Sequence, residues 1–167
     1  MANLIVSDID GVIADCEHRL WLAKAKLYDG FYEKVGDDTP ISDGINLLRR
    51  LTSGNDAGDD MLVFLTGRRE DCREATKMWL SKNFYYPYDA LYMRPEGDHR
   101  NAKELKKELY AEVVRMYQSR GISFEHIFYI DDDPNNVKAI CAGDEHVTGI
   151  TFGIKRMEED SNDKGQD

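Results

Sequence analysis

Cysteine is scarce in this chain of 167 residues: Cys16, Cys72 and Cys141 stand far apart, and no two form a C-x-x-C pair. That spacing supports neither a disulfide framework nor a zinc site, so a reducing, cytoplasmic setting is the expectation. Long apolar runs are missing too. Nothing approaches the roughly 18 residues of a membrane helix, and the start "MANLIVSD" carries no basic segment ahead of an apolar one. Positive charge is in deficit, with 22 basic against 32 acidic residues and a net charge of −10. An acidic surface argues against a protein that stably coats nucleic acid, while leaving room for a local basic site. There is also no G-x-x-x-x-G-K-[ST] loop, which excludes a P-loop kinase within this chain.

What is present reads as one folded unit. The hydrophobic share of 41%, with nine Tyr and two Trp, is that of a globule, and the length suits a single core. Residues 1–156 are expected to form one domain. The tail 157–167 is expected to be disordered, since its last ten residues, "EEDSNDKGQD", hold five acids and one Lys.

Short β-rich runs alternate with amphipathic stretches. Residues 4–6, 61–65, 90–93, 127–130 and 147–152 are apolar and bounded by Gly or Asp, which predicts strands. Helices are predicted over 42–51 with a Ser or Asp cap, over 70–84, over 101–121 with Gly121 closing it, and after Pro134. "HRLWLAKAKLYDGFYEKV" reads as one further apolar helical stretch. Trp21 and Trp79 stand at core-like spacing, and Asp133 is placed to cap the helix at Pro134. The alternation predicts a mainly parallel five-stranded sheet with helices on both faces.

In such a sheet, ligands bind outside the carboxyl ends of the strands. Four predicted strands end there in polar residues: Asp8-Ile9-Asp10-Gly11, Thr66-Gly67-Arg68, Arg94, and Asp131-Asp132-Asp133. Asp8 and Asp10, two apart, can face one ligand. Neighbouring carboxylates do not ionise equally, which divides them between nucleophile or ligand and proton carrier. Gly11 lets the chain turn beneath them. Asp131 and Asp132 add the hard oxygens that Mg²⁺ prefers, Thr66 offers a hydroxyl, and Lys106 offers positive charge. Together these groups suit phosphoryl transfer.

The residues resemble the haloacid dehalogenase (HAD) superfamily of phosphohydrolases: "DIDGV" its first motif, "VFLTGR" its second, Lys106 its third and "FYIDDD" its fourth, in the family's order. The resemblance implies a Rossmann-like three-layer sandwich with little or no cap. It further implies that Asp8 forms an aspartyl-phosphate, that Asp10 is acid and then base, and that Thr66 and Lys106 hold the phosphoryl group. Mg²⁺ would sit on Asp8, Asp131, Asp132 and the backbone of Asp10. The chain is similar, more narrowly, to the phosphatase domain of phage-type polynucleotide kinase/3′-phosphatases, through His18-Arg19, "TGRRED" and "MRPEGDHR". On that resemblance Gly67, Arg68, Arg19, Arg94 and Arg100 face the substrate, oriented by Asp98, and the substrate is a nucleotidyl phosphate or nucleic-acid end.

The chain departs from that pattern at Ala102, where relatives commonly carry Asp, and at Asp133, where they commonly carry Arg. Other readings stay open. "DIDGVIADCE" also resembles 5′(3′)-deoxyribonucleotidases, another small metabolite is a possible substrate, and a non-enzymatic acidic binding protein is the remaining class. Lys103 is the alternative to Lys106, since both lie on one lysine-rich helix.

Overall fold

In the computed structural model, residues 2–53 and 60–153 are described, and the run Leu4–Ser7 forms a central strand, β1, with all its residues buried. A small flap follows: strand β2 (Ala14–Asp15), helices α1 (Glu17–Lys24) and α2 (Tyr28–Glu33), a 3-10 turn at Val35–Asp37, and strand β3 (Thr39–Pro40). Regular alternation then sets in. It comprises α3 (Ser42–Thr52), β4 (Met61–Arg69), α4 (Arg73–Asn83), β5 (Ala90–Arg94), α5 (Ala102–Ser119), β6 (Ile127–Asp131), α6 (Pro134–Cys141) and β7 (Val147–Thr151).

The five long strands pair in the order β5-β4-β1-β6-β7, every pairing parallel. Strand side chains alternate between faces, and the core divides accordingly. Leu4, Val6, Val63, Leu65 and Tyr129 meet Leu105, Leu109 and Val113 of α5 and Val137 and Ile140 of α6. Ile5, Leu62, Phe64 and Ile130 meet Leu48 of α3 and Trp79 and Leu80 of α4. The result is the expected three-layer α/β/α sandwich, and each fully buried aliphatic or aromatic side chain contributes about 1.5–3 kcal/mol.

Local chemistry sets the element ends. The Asn101 side chain accepts from the Glu104 amide at the start of α5, and Asp133 accepts from the Asn135 amide at the start of α6, ahead of Pro134. Asp15 accepts from the Glu17 amide at the entrance to α1.

Several expectations are corrected. The stretch 18–35 is not one helix, because Lys26 adopts a left-handed backbone (φ 59°) that ends α1 and starts a new turn. Ser42 lies inside α3, whose capping position is Ile41 with no side-chain bond. Trp21 is 58% exposed on the flap, whereas Trp79 is buried as expected. The tail 157–167, expected to be disordered, lies outside the described residues. No described helix is long and apolar enough to cross a membrane.

Candidate active site

Register brings the motifs together. Ser7 of β1 pairs with Phe64 of β4 on one side and Ile130 of β6 on the other, so Asp8, Leu65 and Asp131 follow at the same level. The Asp8 amide donates to the Ile130 carbonyl at 2.9 Å, fixing its place at the rim. Strand β4 runs further, with an irregularity between Leu65 and Arg69 that interrupts its pairing with β5. Both Thr66 and Arg68 are buried there, and the Arg68 amide donates to the Thr66 hydroxyl at 3.2 Å. Bulges of this kind re-aim side chains.

Lys106 is the lysine of α5 that reaches the rim; its side chain is 5% exposed, while Lys103 is exposed to solvent. The Lys106 ammonium donates to Asp8 Oδ2 and to Asp131 Oδ2, each at 2.6 Å. Asp131 also accepts from the Tyr129 hydroxyl (2.8 Å), the Asp133 amide (3.0 Å) and the Asn136 side chain (3.1 Å). Its orientation is therefore fully determined. Burial pushes the Asp8 carboxyl up to about 7 against the pull of Lys106, and the charges of Asp131 and Asp10 push the same way. The Lys106 ammonium is held above its ordinary range: burial opposes its charge, but Asp8 and Asp131 outweigh burial.

Asp132 completes an acidic cluster. One oxygen each from Asp8, Asp131 and Asp132 lie within 4.8 Å of one another. Burial and the neighbouring Asp131 raise Asp132 to about 6. Three carboxylates around one ammonium leave an excess of negative charge, and the donors are all hard oxygens. That set fits a hard divalent cation. Gly11 makes room for it: its φ is +78°, and a Cβ there would fall 2.2 Å from Asp132 Oδ2.

Asp10 keeps different company. Its Oδ1 accepts from Arg19 and Arg68, each at 2.7 Å, and Arg68 Nε adds a bond to Oδ2 at 3.1 Å. Both guanidinium groups also grip Asp38, with Arg19 Nε at 2.7 Å from Oδ1 and Arg68 at 2.7 Å from Oδ2. Burial alone would raise the Asp10 carboxyl, but Arg68 and then Arg19 hold it below the ordinary carboxylate range. Arg19 and Arg68 therefore do not stand free on the substrate side as expected. They are fully buried, because each guanidinium is neutralised by two acids inside the rim.

Asp38 was missed in the sequence. It lies between the 3-10 turn at Val35–Asp37 and β3, and only the folded flap carries it to the arginines. Its carboxylate also meets His18 Nε2 at 2.8 Å. A buried ion cluster of this kind is weak evidence for stability, since desolvation offsets much of the Coulomb attraction. Its evident effect is positional: the flap helix α1, the end of β4 and the turn after β1 are locked to Asp10.

The outer residues form a second layer. The Gly67 carbonyl accepts from Arg94 Nε at 3.2 Å and from the Tyr32 hydroxyl at 3.3 Å. Arg94 also donates to the Arg100 carbonyl at 2.8 Å. Asp98 accepts from Arg100 Nε at 3.0 Å, and the pairing with Arg100 holds its carboxyl down at about 2. Asp98 and Arg100 are thus paired with one another, and Asp133 is used as a helix cap.

Residues 2–140 match the family model described as the polynucleotide kinase PNKP phosphatase domain. A "Putative bifunctional polynucleotide kinase/RNA ligase" of Autographa californica nuclear polyhedrosis virus is 30% identical over 111 residues, covering 66% of this chain but only 15% of the viral protein. Among solved structures, a chain of the Pnkp1/Rnl/Hen1 complex superposes with a TM-score of 0.68 at 21% identity, over 93% of this chain and 48% of that one. The HAD domain of the effector Lem4 from Legionella pneumophila gives a TM-score of 0.53 at 14% identity, over 91% of this chain and 86% of that one. The chain thus spans 15% of the viral protein and about half of the matched chain of that complex.

Proposed function

The chain belongs to the family of the polynucleotide kinase PNKP phosphatase domain, a HAD-type phosphatase family, and we propose that it removes the 3′-phosphate from a polynucleotide end through an aspartyl-phosphate. The observation that carries this reading is the Lys106 bridge between Asp8 and Asp131, which brings the ends of β1 and β6 and the start of α5 to one point.

In this reading Asp8 attacks phosphorus. The bond from phosphorus to the 3′-oxygen breaks as the bond to the Asp8 oxygen forms. Lys106 and the Thr66 hydroxyl hold the phosphoryl oxygens. Mg²⁺, when bound by the carboxylates of Asp8, Asp131 and Asp132 and the backbone oxygen of Asp10, supplies charge neutralisation for the phosphoryl group.

Asp10 gives a proton to the departing 3′-oxygen, then takes one from the water that cleaves the aspartyl-phosphate. Clamped by Arg19 and Arg68, it is ionised and suited to the second step. A phosphate dianion held by Lys106 and Thr66 lies close to Asp10, and its like charge raises Asp10 toward the protonated form needed in the first.

Phosphate release is the direct test, run on a 3′-phosphorylated oligonucleotide, 3′- and 5′-mononucleotides and sugar phosphates. The expected result is release that EDTA stops, Mg²⁺ restores and Asp8→Asn lowers by about 10³-fold or more. Full activity of Asp8→Asn on every ester would sink the mechanism, and a strong preference for sugar phosphates would overturn the substrate.

A further inference from the structure

The Asp38 carboxylate takes no direct part in the reaction, yet all of its lone-pair directions are in use. Its Oδ2 accepts from Arg19 and from Arg68, each at 2.7 Å. Its Oδ1 accepts from Arg19 Nε at 2.7 Å and meets His18 Nε2 at 2.8 Å. A carboxylate offers about four such directions, so His18 fills the last. That ring nitrogen carries the proton, because a bare one would set its lone pair against the carboxylate oxygen.

The guanidinium donors are sealed inside the rim, and His18 is not. The Arg19 and Asp38 side chains are fully buried, while the His18 side chain is 37% exposed. His18 and Arg19 follow one another in the first turn of α1, about 100° apart around the helix. Arg19 therefore points inward while His18 stands between Asp38 and water. The far side of Arg19 is closed by Phe31, whose ring centre lies 4.2 Å from the guanidinium carbon and whose carbonyl accepts from Arg19 Nη1 at 3.5 Å. The imidazole is the closure on the solvent side.

Take that closure away, and water reaches Asp38 Oδ1 and competes for it with Arg19 Nε. The disturbance passes to Asp10, because the Arg19 Nη2 that grips Asp38 also donates to Asp10 Oδ1 at 2.7 Å. Arg68 carries it by a second route, since its own Nη2 bridges the same two acids. Hydrogen bonds in a dry, satisfied network reinforce one another, so one lost donor weakens the rest.

We propose that His18 is a positioning residue for Asp10. Its imidazole N–H shields and orients Asp38, and Asp38 holds the two guanidinium groups that aim the Asp10 carboxyl at the leaving group and then at water. His18 itself touches neither the substrate nor Asp10. The proposal rests on the 3′-phosphatase reading for the role of Asp10, and it gives α1 a task in the chemistry.

The test compares His18→Ala, His18→Asn and His18→Gln on a 3′-phosphorylated oligonucleotide at saturating Mg²⁺. A glutamine amide can bring an N–H to where imidazole Nε2 stands, and the shorter asparagine cannot. His18→Ala and His18→Asn should lower kcat about tenfold, the worth of a hydrogen bond to a charged group, and leave KM within about twofold, because Lys106 and Thr66 still hold the phosphate. His18→Gln should recover most of the lost rate. Equal losses in all three variants, or a raised KM at unchanged kcat, would overturn the proposal.

A second readout is independent of catalysis. The Nε–H groups of Arg19 and Arg68, bonded to Asp38 and Asp10, should give slowly exchanging resonances in the wild-type NMR spectrum. Both should exchange faster in His18→Ala and stay protected in His18→Gln. Unchanged guanidinium signals in His18→Ala would cut the link to Asp10 and leave the phosphatase standing. Signals that need the N–H at position 18, without phosphate release from any ester, support the positioning role and count against the phosphatase reading alone.

Discussion

The indole N–H of Trp79 donates to the backbone carbonyl of Asp38 at 2.7 Å, across 41 residues of sequence. Helix α4 thereby holds in place the residue whose carboxylate grips Arg19 and Arg68. Those arginines in turn hold Asp10, so a tryptophan in the core fixes the proposed acid/base through three intermediates.

Removing the Asp38 charge should therefore be costly. Asp38→Asn leaves two buried guanidinium groups facing one carboxylate, and breaking a buried pair in this way costs about 3–5 kcal/mol. For a chain of this size that is a fall of about 6–20 °C in melting temperature. Activity should fall with it, with kcat affected more than KM because Asp10 loses its orientation. A wild-type melting curve for Asp38→Asn would refute the clamp.

The acidic cluster predicts how stability depends on pH. Asp8 and Asp132 are raised to about 7 and about 6, above their unfolded values. A raised carboxyl contributes stability that is present in full below its unfolded pKa and lost as pH rises through the folded one. Without a divalent cation, melting temperature should thus decline by several degrees between pH 5 and pH 8. Mg²⁺ should restore more at pH 8 than at pH 5, and Asp8→Asn should flatten the decline. A melting temperature that climbs over this interval without metal would contradict the assignment.

Gly11→Ala tests the contact with Asp132. The left-handed backbone alone costs a non-glycine residue about 1–2 kcal/mol. Gly121, also left-handed at φ +72° but with nothing within 4 Å of its would-be Cβ, provides the control. Gly11→Ala should lose more stability than Gly121→Ala, because it adds the clash with Asp132 to the same backbone cost. Only Gly11→Ala should raise the Mg²⁺ concentration needed for half-maximal rate, by about tenfold or more, because it alone displaces a carboxylate. Equal Mg²⁺ requirements would separate Asp132 from the metal.

The sheet was legible because its strands are short apolar runs, and adjacent motifs such as Asp8-Ile9-Asp10 carry their spacing on their face. Lys106 was legible only through the spacing of a resemblance, since Lys103 on the same helix has identical chemistry. Arg19 and Arg68 were placed at the rim, but their burial against two acids each was not legible. Their burial depends on Asp38, which acquires its meaning from a fold across 19 and 30 residues rather than from its neighbours. The helix break at Lys26 was illegible for a related reason. No Gly or Pro marks it, and the turn is imposed by packing of the flap.

The central position of β1 also has a consequence in time. Its partners begin at Met61 and Ile127, and the bond from Lys106 to Asp8 closes a loop of 98 residues. Contacts so distant in sequence make folding slow and late. During synthesis, the first strand leaves the ribosome long before β6 exists to pair with it. Asp8 and Asp131 cannot come together until nearly all the described chain has emerged, so a truncated translation product would carry the aspartates without the reaction.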